Sequence, residues 1–260
     1  NILSNYAVGG NGKAENSIRI ATVMEFLHTA TLVHDDIIDN ADMRRNRSSV
    51  NARFGNQASV LMGDWLYMTA FETSLQERSL EILDILTYVT RKMTEGELIQ
   101  LTTLGRSDIS ETEYFDIIRR KTAYLFSACC EIGAIVGGAS QAEQTALRDF
   151  LDFTADSEVL GKASGADLLE GKLTLPLIIL VKKDPSVRQE LESIMLAGNY
   201  EKFPRGALVS RLEESGIMNE TRKRAYEYAD LAIKNLEILP ETEYRVALEE
   251  IPAYMIERNK

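Results

Sequence analysis

Apolar residues recur at three- and four-residue spacing through almost all of this chain, and only five prolines interrupt its 260 residues. That period places apolar side chains on one face of an α-helix. Ile18, Ala21, Val23, Met24, Leu27 and Ala30 mark one such stripe. Ser79 to Leu101 repeats the pattern through Leu80, Leu83, Leu86, Val89, Met93 and Leu98. Glu111 to Ile135 does so through Tyr114, Ile117, Ile118, Leu125 and Ala128. Leu175 to Val181 is a short apolar run whose period fits strand or helix, and Pro176 favours a helix beginning there. Asp184-Pro185 and Gly198-Asn199 read as turns, and Glu220 to Lys260 is again amphipathic. No alternating runs joined by hairpin turns occur. The expected class is all-α. With no low-complexity linker, one domain over residues 1–260 is expected.

Charge narrows the function classes. Asp plus Glu number 40 against 29 Lys plus Arg, a formal charge of -11. A general nucleic-acid binder needs a basic face, so that class is set aside. Phosphate ligands remain open, because a divalent metal can stand between two anions. No run of 18 or more apolar residues exists, so no membrane span is expected. The two cysteines, Cys129 and Cys130, are adjacent and have no other partner, which leaves neither a disulfide framework nor a zinc signature. No signal-peptide pattern is seen, and a cytoplasmic location is the expectation.

The strongest chemical signal is His34-Asp35-Asp36-Ile37-Ile38-Asp39, followed by Arg44-Arg45. Asp35 and Asp39 are four apart, on one helix face and one turn from each other. Like charges at that spacing repel. A hard cation resolves the conflict, since Mg²⁺ takes oxygen ligands and commonly joins one or two carboxylates to substrate phosphates. The arginines suit bidentate binding of phosphate oxygens. A solvated acidic helix end is the plain alternative, but the largely apolar run from Phe26 to Val33 makes it less apt. His34 reads as structural.

The string HTATLVHDDIIDNADMRR resembles the first aspartate-rich motif of the trans-isoprenyl (polyprenyl) diphosphate synthases, most of all the long-chain, octaprenyl-type members. The resemblance continues in order along the chain. It runs through Phe54-Gly55-Asn56 with Ser59 to Asp64, Glu95-Gly96-Glu97-Leu98-Ile99-Gln100, Lys121-Thr122, and Leu160-Gly161-Lys162 with Gly165 to Pro176. It implies a bundle of ten or more helices around a central elongation cavity, the isoprenoid synthase fold. It also implies a homodimer that extends an allylic diphosphate with isopentenyl diphosphate.

By that resemblance Asp35 and Asp39 are Mg²⁺ ligands with Asp36 in support, and Asp152 is a further metal ligand. Arg44 contacts the allylic diphosphate and Arg45 the isopentenyl diphosphate. Lys121, Lys162 and Lys172 meet the leaving diphosphate, while Thr122 and Gln100 orient the reacting region. Ala30 and Thr31, five and four residues before Asp35, are small and leave room for a growing chain, so a long product is expected. Without the family pattern, Lys162 and Lys172 are solvated loop residues and Lys121 belongs to a basic helix face.

Two departures stand out. The family's GGKRxRP motif is expected after Gly9-Gly10, where Asn11-Gly12-Lys13-Ala14 stands instead. The second aspartate motif is reduced to Asp152 after Phe150-Leu151. Roughly 15 to 20 residues of the pattern are missing at each place, about five helical turns. Loss of that much from a packed helix would wreck a core, so gaps in the chain near 10/11 and 150/151 are expected. Smaller departures are Asn46, Ala163 and Leu169. The alternatives are a non-catalytic or regulatory homologue of a prenyl synthase subunit, and a terpene cyclase on the same fold.

Overall fold

The computed structural model describes residues 1–44, 46–160 and 165–257, with the backbone alone for 155–160. It is all-α. In chain order the helices are α1 (Ile2–Ala7), α2 (Glu15–Ile38), α3 (Val50–Phe54), α4 (Asn56–Ser74), α5 (Leu80–Thr103), α6 (Glu111–Ile118) and α7 (Tyr124–Val136). They continue as α8 (Gln141–Leu160), α9 (Gly165–Leu169), α10 (Leu175–Lys183), α11 (Arg188–Ala197), α12 (Arg205–Glu214), α13 (Ile217–Asn235) and α14 (Glu243–Glu257). A two-residue ribbon, β1 (Met43–Arg44) against β2 (Arg47–Ser48), comes after α2. Among the described residues no helix is long and apolar enough to cross a membrane.

The residues gather into two compact units. One holds Asn1–Thr90, Ala128–Arg148 and Leu239–Arg245; the other holds Arg91–Ser127, Asp149–Ile238 and Val246–Lys260. In the first unit α2 packs along α4. The buried stripe of α2 is Ile20, Val23, Met24, Leu27, Ala30 and Val33. Ile18, expected in that stripe, is 51% exposed. It lies two residues from Ile20, about 200° around the helix, and so on the opposite side.

The second unit is built around α10. Every residue from Leu175 to Val181 is buried. An α-helix apolar all round must be a central one, which explains why this run showed no face in the sequence. Tyr114, Ile117, Leu168, Leu191, Ile194, Leu208, Leu212 and Ile217 close over it. Pro176 sits in the first turn, where no intrahelical N–H is needed. Ser110 and Glu113 form a reciprocal capping box at the start of α6.

The periodic stretch from Glu111 to Ile135 differs from expectation. It is interrupted by one π-helical turn, Arg119–Ala123. The extra residue in that turn rotates α7 by about 100° relative to a continuous α-helix. Leu80 and Leu98 are also exposed rather than buried.

At 10/11 the chain runs on through ordinary turns: Gly10 N–H donates to the Asn5 carbonyl at 2.9 Å and Ala14 N–H to that of Asn11 at 2.9 Å. At 150/151 helix α8 continues without a break, with Phe150 fully buried and Thr154 Oγ1 donating to its carbonyl at 2.8 Å.

Truncating Leu180 on α10 leaves a cavity inside the second unit. Leu180→Ala is expected to cost about 2–5 kcal/mol, read as a lowered midpoint in urea unfolding, whereas truncation of the exposed Leu196 on α11 leaves the midpoint near that of the parent.

Candidate active site

In the first unit, α2 ends in a concentration of negative charge. Asp39 caps the helix, and its N–H still bonds the Asp35 carbonyl at 2.8 Å. Asp35 and Asp39 therefore lie one turn apart, as the spacing requires. The last turn of α2 contains no basic residue. Carboxylates at a helix C-terminus face the negative end of its dipole, so helix electrostatics oppose this arrangement and an external positive charge favours it.

Asp36 is buried, and its partner is Arg44. Arg44 Nε donates to Asp36 Oδ1 at 2.8 Å, and Nη2 lies 2.7 Å from the same oxygen. That hydrogen bond, with the charges of Asp36, Asp35 and Asp39, holds the guanidinium pKa above its ordinary value. The return of the chain that brings Arg44 back is tied down by several bonds. Ala41 N–H donates to the Asp36 carbonyl at 2.9 Å, Ser49 Oγ to the Ala41 carbonyl at 2.6 Å, and Asn51 Nδ2 to the Asp36 carbonyl at 3.2 Å. Asn40 turns the backbone with a positive φ of 51°. The partner of Arg44 in the sequence pattern, Arg45, lies outside the described residues.

His34 bridges to α4, with Nε2 3.2 Å from the Val60 carbonyl oxygen and 3.4 Å from Asp64 Oδ1. Both contacts tie the end of α2 to α4. Tyr67 on α4 is a neighbour the sequence did not single out; burial, and then the charge of Asp35, push its phenol up to about 12. Ala30 is fully buried, and Thr31 Oγ1 donates to the His28 carbonyl at 2.7 Å.

Asp36 faces Arg44, and Asp35 and Asp39, half-buried one turn apart, are hard oxygen donors of the kind a divalent cation takes. Among the described residues no group of three or more His, Cys, Asp or Glu side chains stands arranged to hold a metal ion. Mg²⁺ does not require one: it is commonly bound by one or two carboxylates, with water and substrate phosphates completing the shell. Two hard oxygen donors at an unfavourable helix end fit it. The thiols offer no alternative chemistry. Burial pushes Cys129 up to about 12 and raises Cys130 too, so both stay protonated.

The second unit brings Lys121, Gln100 and Glu97 together. Lys121 Nζ donates to Gln100 Oε1 at 2.9 Å and lies 2.5 Å from Glu97 Oε2. Lys121 is thus no solvated basic face, the reading that Arg119 and Arg120 beside it suggest without the family pattern. Thr122 is half-buried in the same π turn. Lys172 comes after Gly171, whose φ of 79° suits glycine. The carbonyl of Gly171 accepts from Gly105 N–H at 2.8 Å, and Lys172 Nζ donates to Glu170 at 2.9 Å. Asp152 lies half-buried in α8. Lys162 and Ala163 fall outside the described residues.

A polyprenyl synthetase family model matches residues 1–203. The octaprenyl diphosphate synthase of Haemophilus influenzae is 38% identical, over 99% of this chain and 82% of its own length. That alignment spans 274 positions, more than the 260 residues present, so it opens internal gaps in this chain. Among solved structures, a decaprenyl diphosphate synthase from Rhodobacter capsulatus matches with a TM-score of 0.90 and 31% identity, over 98% of this chain and 82% of that one. A polyprenyl synthase from Caulobacter crescentus, complexed with calcium and isoprenyl diphosphate, matches with a TM-score of 0.87 and 31% identity, over the same 98% and 82%. The solved structures that this chain matches have the isoprenoid synthase fold, and the chain shares it. The chain belongs to the polyprenyl synthetase family.

Removing one partner of the Asp36–Arg44 pair strands a buried carboxylate. Arg44→Met is expected to destabilise the protein by about 3 kcal/mol. Adding Asp36→Asn should recover most of that loss, and thermal melts of the two single variants and the double variant measure the coupling.

Proposed function

We propose that this protein is a Mg²⁺-dependent prenyltransferase that extends an allylic diphosphate with isopentenyl diphosphate to a long-chain all-trans polyprenyl diphosphate. The observation that carries the reading is the Asp35–Asp39 pair at the C-terminus of α2, in a chain of this family. The Haemophilus and Rhodobacter relatives are themselves polyprenyl synthases, which supports catalysis over the non-catalytic or regulatory alternative. The calcium in the Caulobacter complex supports a divalent cation, and the choice of Mg²⁺ is part of the proposal.

The difficult step is heterolysis of the allylic carbon–oxygen bond. Its electron pair leaves with the diphosphate oxygen. The double bond of isopentenyl diphosphate then attacks the allylic carbon, and proton loss restores an alkene one isoprene unit further along. Negative charge grows on the leaving diphosphate, and fixed positive charge lowers that barrier. Mg²⁺ bound at Asp35 and Asp39 supplies Lewis-acid neutralisation of the diphosphate. Asp152 joins the ligand set by resemblance. Arg44 and Arg45 hold the two diphosphates. Lys121, Lys162 and Lys172 receive the leaving group, and Thr122 and Gln100 orient the reacting carbon.

We take residues 1–260 as one catalytic domain of a cytoplasmic homodimer. Leu61, Trp65 and Met68 of α4 are each more than 60% exposed. So large an apolar exposure supports a contact with a second copy. The GGKRxRP and second aspartate segments absent from this chain belong to the active enzyme in this reading. An intact mass above that of the 260 residues would mark their presence, and a chain truly lacking them is expected to be inactive.

Incubation with isopentenyl diphosphate, an allylic diphosphate and Mg²⁺, then chromatography of the products, tests the function. Chelation with EDTA should abolish turnover and added Mg²⁺ restore it. Asp39→Asn should lower kcat by about 100-fold or more. No elongated product from a chain of full mass would reject the reading.

Product length depends on α2. Ala30 precedes Asp35 by five residues, about 7 Å along the helix axis. Ala30→Phe with Thr31→Tyr is expected to shorten the product, and unchanged length in a folded variant would reject a tunnel past this turn.

A further inference from the structure

Lys121 is held by more than the motif that names it. The pair Arg120-Lys121 lies in the π turn Arg119–Ala123, and both side chains meet carboxylates on α5 that flank a single glycine. Arg120 Nη1 donates to Glu95 Oε2 at 2.6 Å, and its Nε donates to Asp116 at 2.9 Å. Lys121 Nζ stands 2.5 Å from Glu97 Oε2 and donates to Gln100. Gly96 between the two glutamates is what permits the approach. A Cβ there would come within 2.7 Å of Arg120 Cβ and 3.1 Å of the Lys121 backbone nitrogen.

The side chain of Glu97 is 13% exposed and that of Lys121 21%. A carboxylate this enclosed carries a desolvation cost, which the facing ammonium offsets. The ammonium keeps a second acceptor in Gln100, so its position is fixed from two sides. An untethered lysine has four rotatable bonds and would sample many positions; the pair removes that freedom before substrate arrives.

We infer that Glu97 is a positioning residue for the elongation reaction, acting through Lys121. It fixes the ammonium at the point where a leaving diphosphate is received, and Gly96 with the π turn brings the two into register. The inference rests on the reading of this chain as a prenyl-elongating enzyme, and in particular on Lys121 meeting the diphosphate.

Steady-state kinetics on the full chain test it, with isopentenyl diphosphate, an allylic diphosphate and Mg²⁺. Glu97→Leu should lower kcat about tenfold or more, within the roughly 100-fold that a misplacement of about 1 Å can cost. The KM for isopentenyl diphosphate should stay near the parent value. Glu97→Gln keeps the size and one acceptor oxygen, so it should retain more activity than Glu97→Leu at a similar melting temperature. In a Lys121→Met background, adding Glu97→Gln should leave kcat unchanged while raising the melting temperature, because the stranded carboxylate is gone.

A purely structural ion pair gives a different pattern: kcat tracks the melting temperature, and the neutral Met–Gln pair recovers activity. That pattern overturns the inference. So does a folded Glu97→Leu variant with kcat within about twofold of the parent, or a loss that multiplies with that of Lys121→Met. If Glu97→Leu fails to fold, Glu97→Gln in the two backgrounds decides on the same terms. No product from the parent protein itself would overturn the elongation reading, and this inference with it.

Discussion

The C-terminus of α2 collects negative charge that its own helix disfavours. Asp35, Asp36 and Asp39 stand at the negative end of a 24-residue helix with no basic residue in its last turn. The chain answers part of this by folding back. Asn40 reverses the backbone, Ser49 and Asn51 tie the return to the end of α2, and Arg44 is delivered to Asp36. Arg44 neutralises the buried carboxylate, and Asp35 and Asp39 stand half-buried beside it. The local architecture thus sets Asp36, held by Arg44, apart from Asp35 and Asp39.

The second unit solves the opposite problem. Arg119-Arg120-Lys121 gathers positive charge on one turn, and α5 supplies Glu95 and Glu97 to meet it. Lys92 and Arg91 beside Glu95 hold its carboxyl pKa below the usual value, so it remains a charged acceptor. Such pairing keeps cationic side chains ordered in a half-buried setting. Cations held in place in this way are a form of the preorganisation that charge-separating reactions require.

Much of this was legible in the residues. Helical spacing gave the class, Pro176 gave the start of α10, and the four-residue spacing of Asp35 and Asp39 gave a shared helix face that the structure retains. Other features escaped. Ile18 looked like core because spacing marks a period without saying which side neighbours cover. The π turn was not read from the sequence, since one added residue shifts the phase of the apolar stripe by only about 100° and leaves the composition helical on both sides. Local spacing named Lys121 through its motif but not its partners, which lie 24 and 21 positions earlier in the chain.

The sequence by itself determined the helical class, the family and the identity of the acidic and basic groups, because these depend on local spacing and on side-chain chemistry. Tertiary structure alone decided the partners: that Asp36 belongs to Arg44, that Glu97 belongs to Lys121, and that Leu175–Val181 is the centre of its unit. The physical reason is that burial and ion pairing depend on which distant segments meet. Backbone reversals and close helix approaches set those meetings, and no short window of residues contains them.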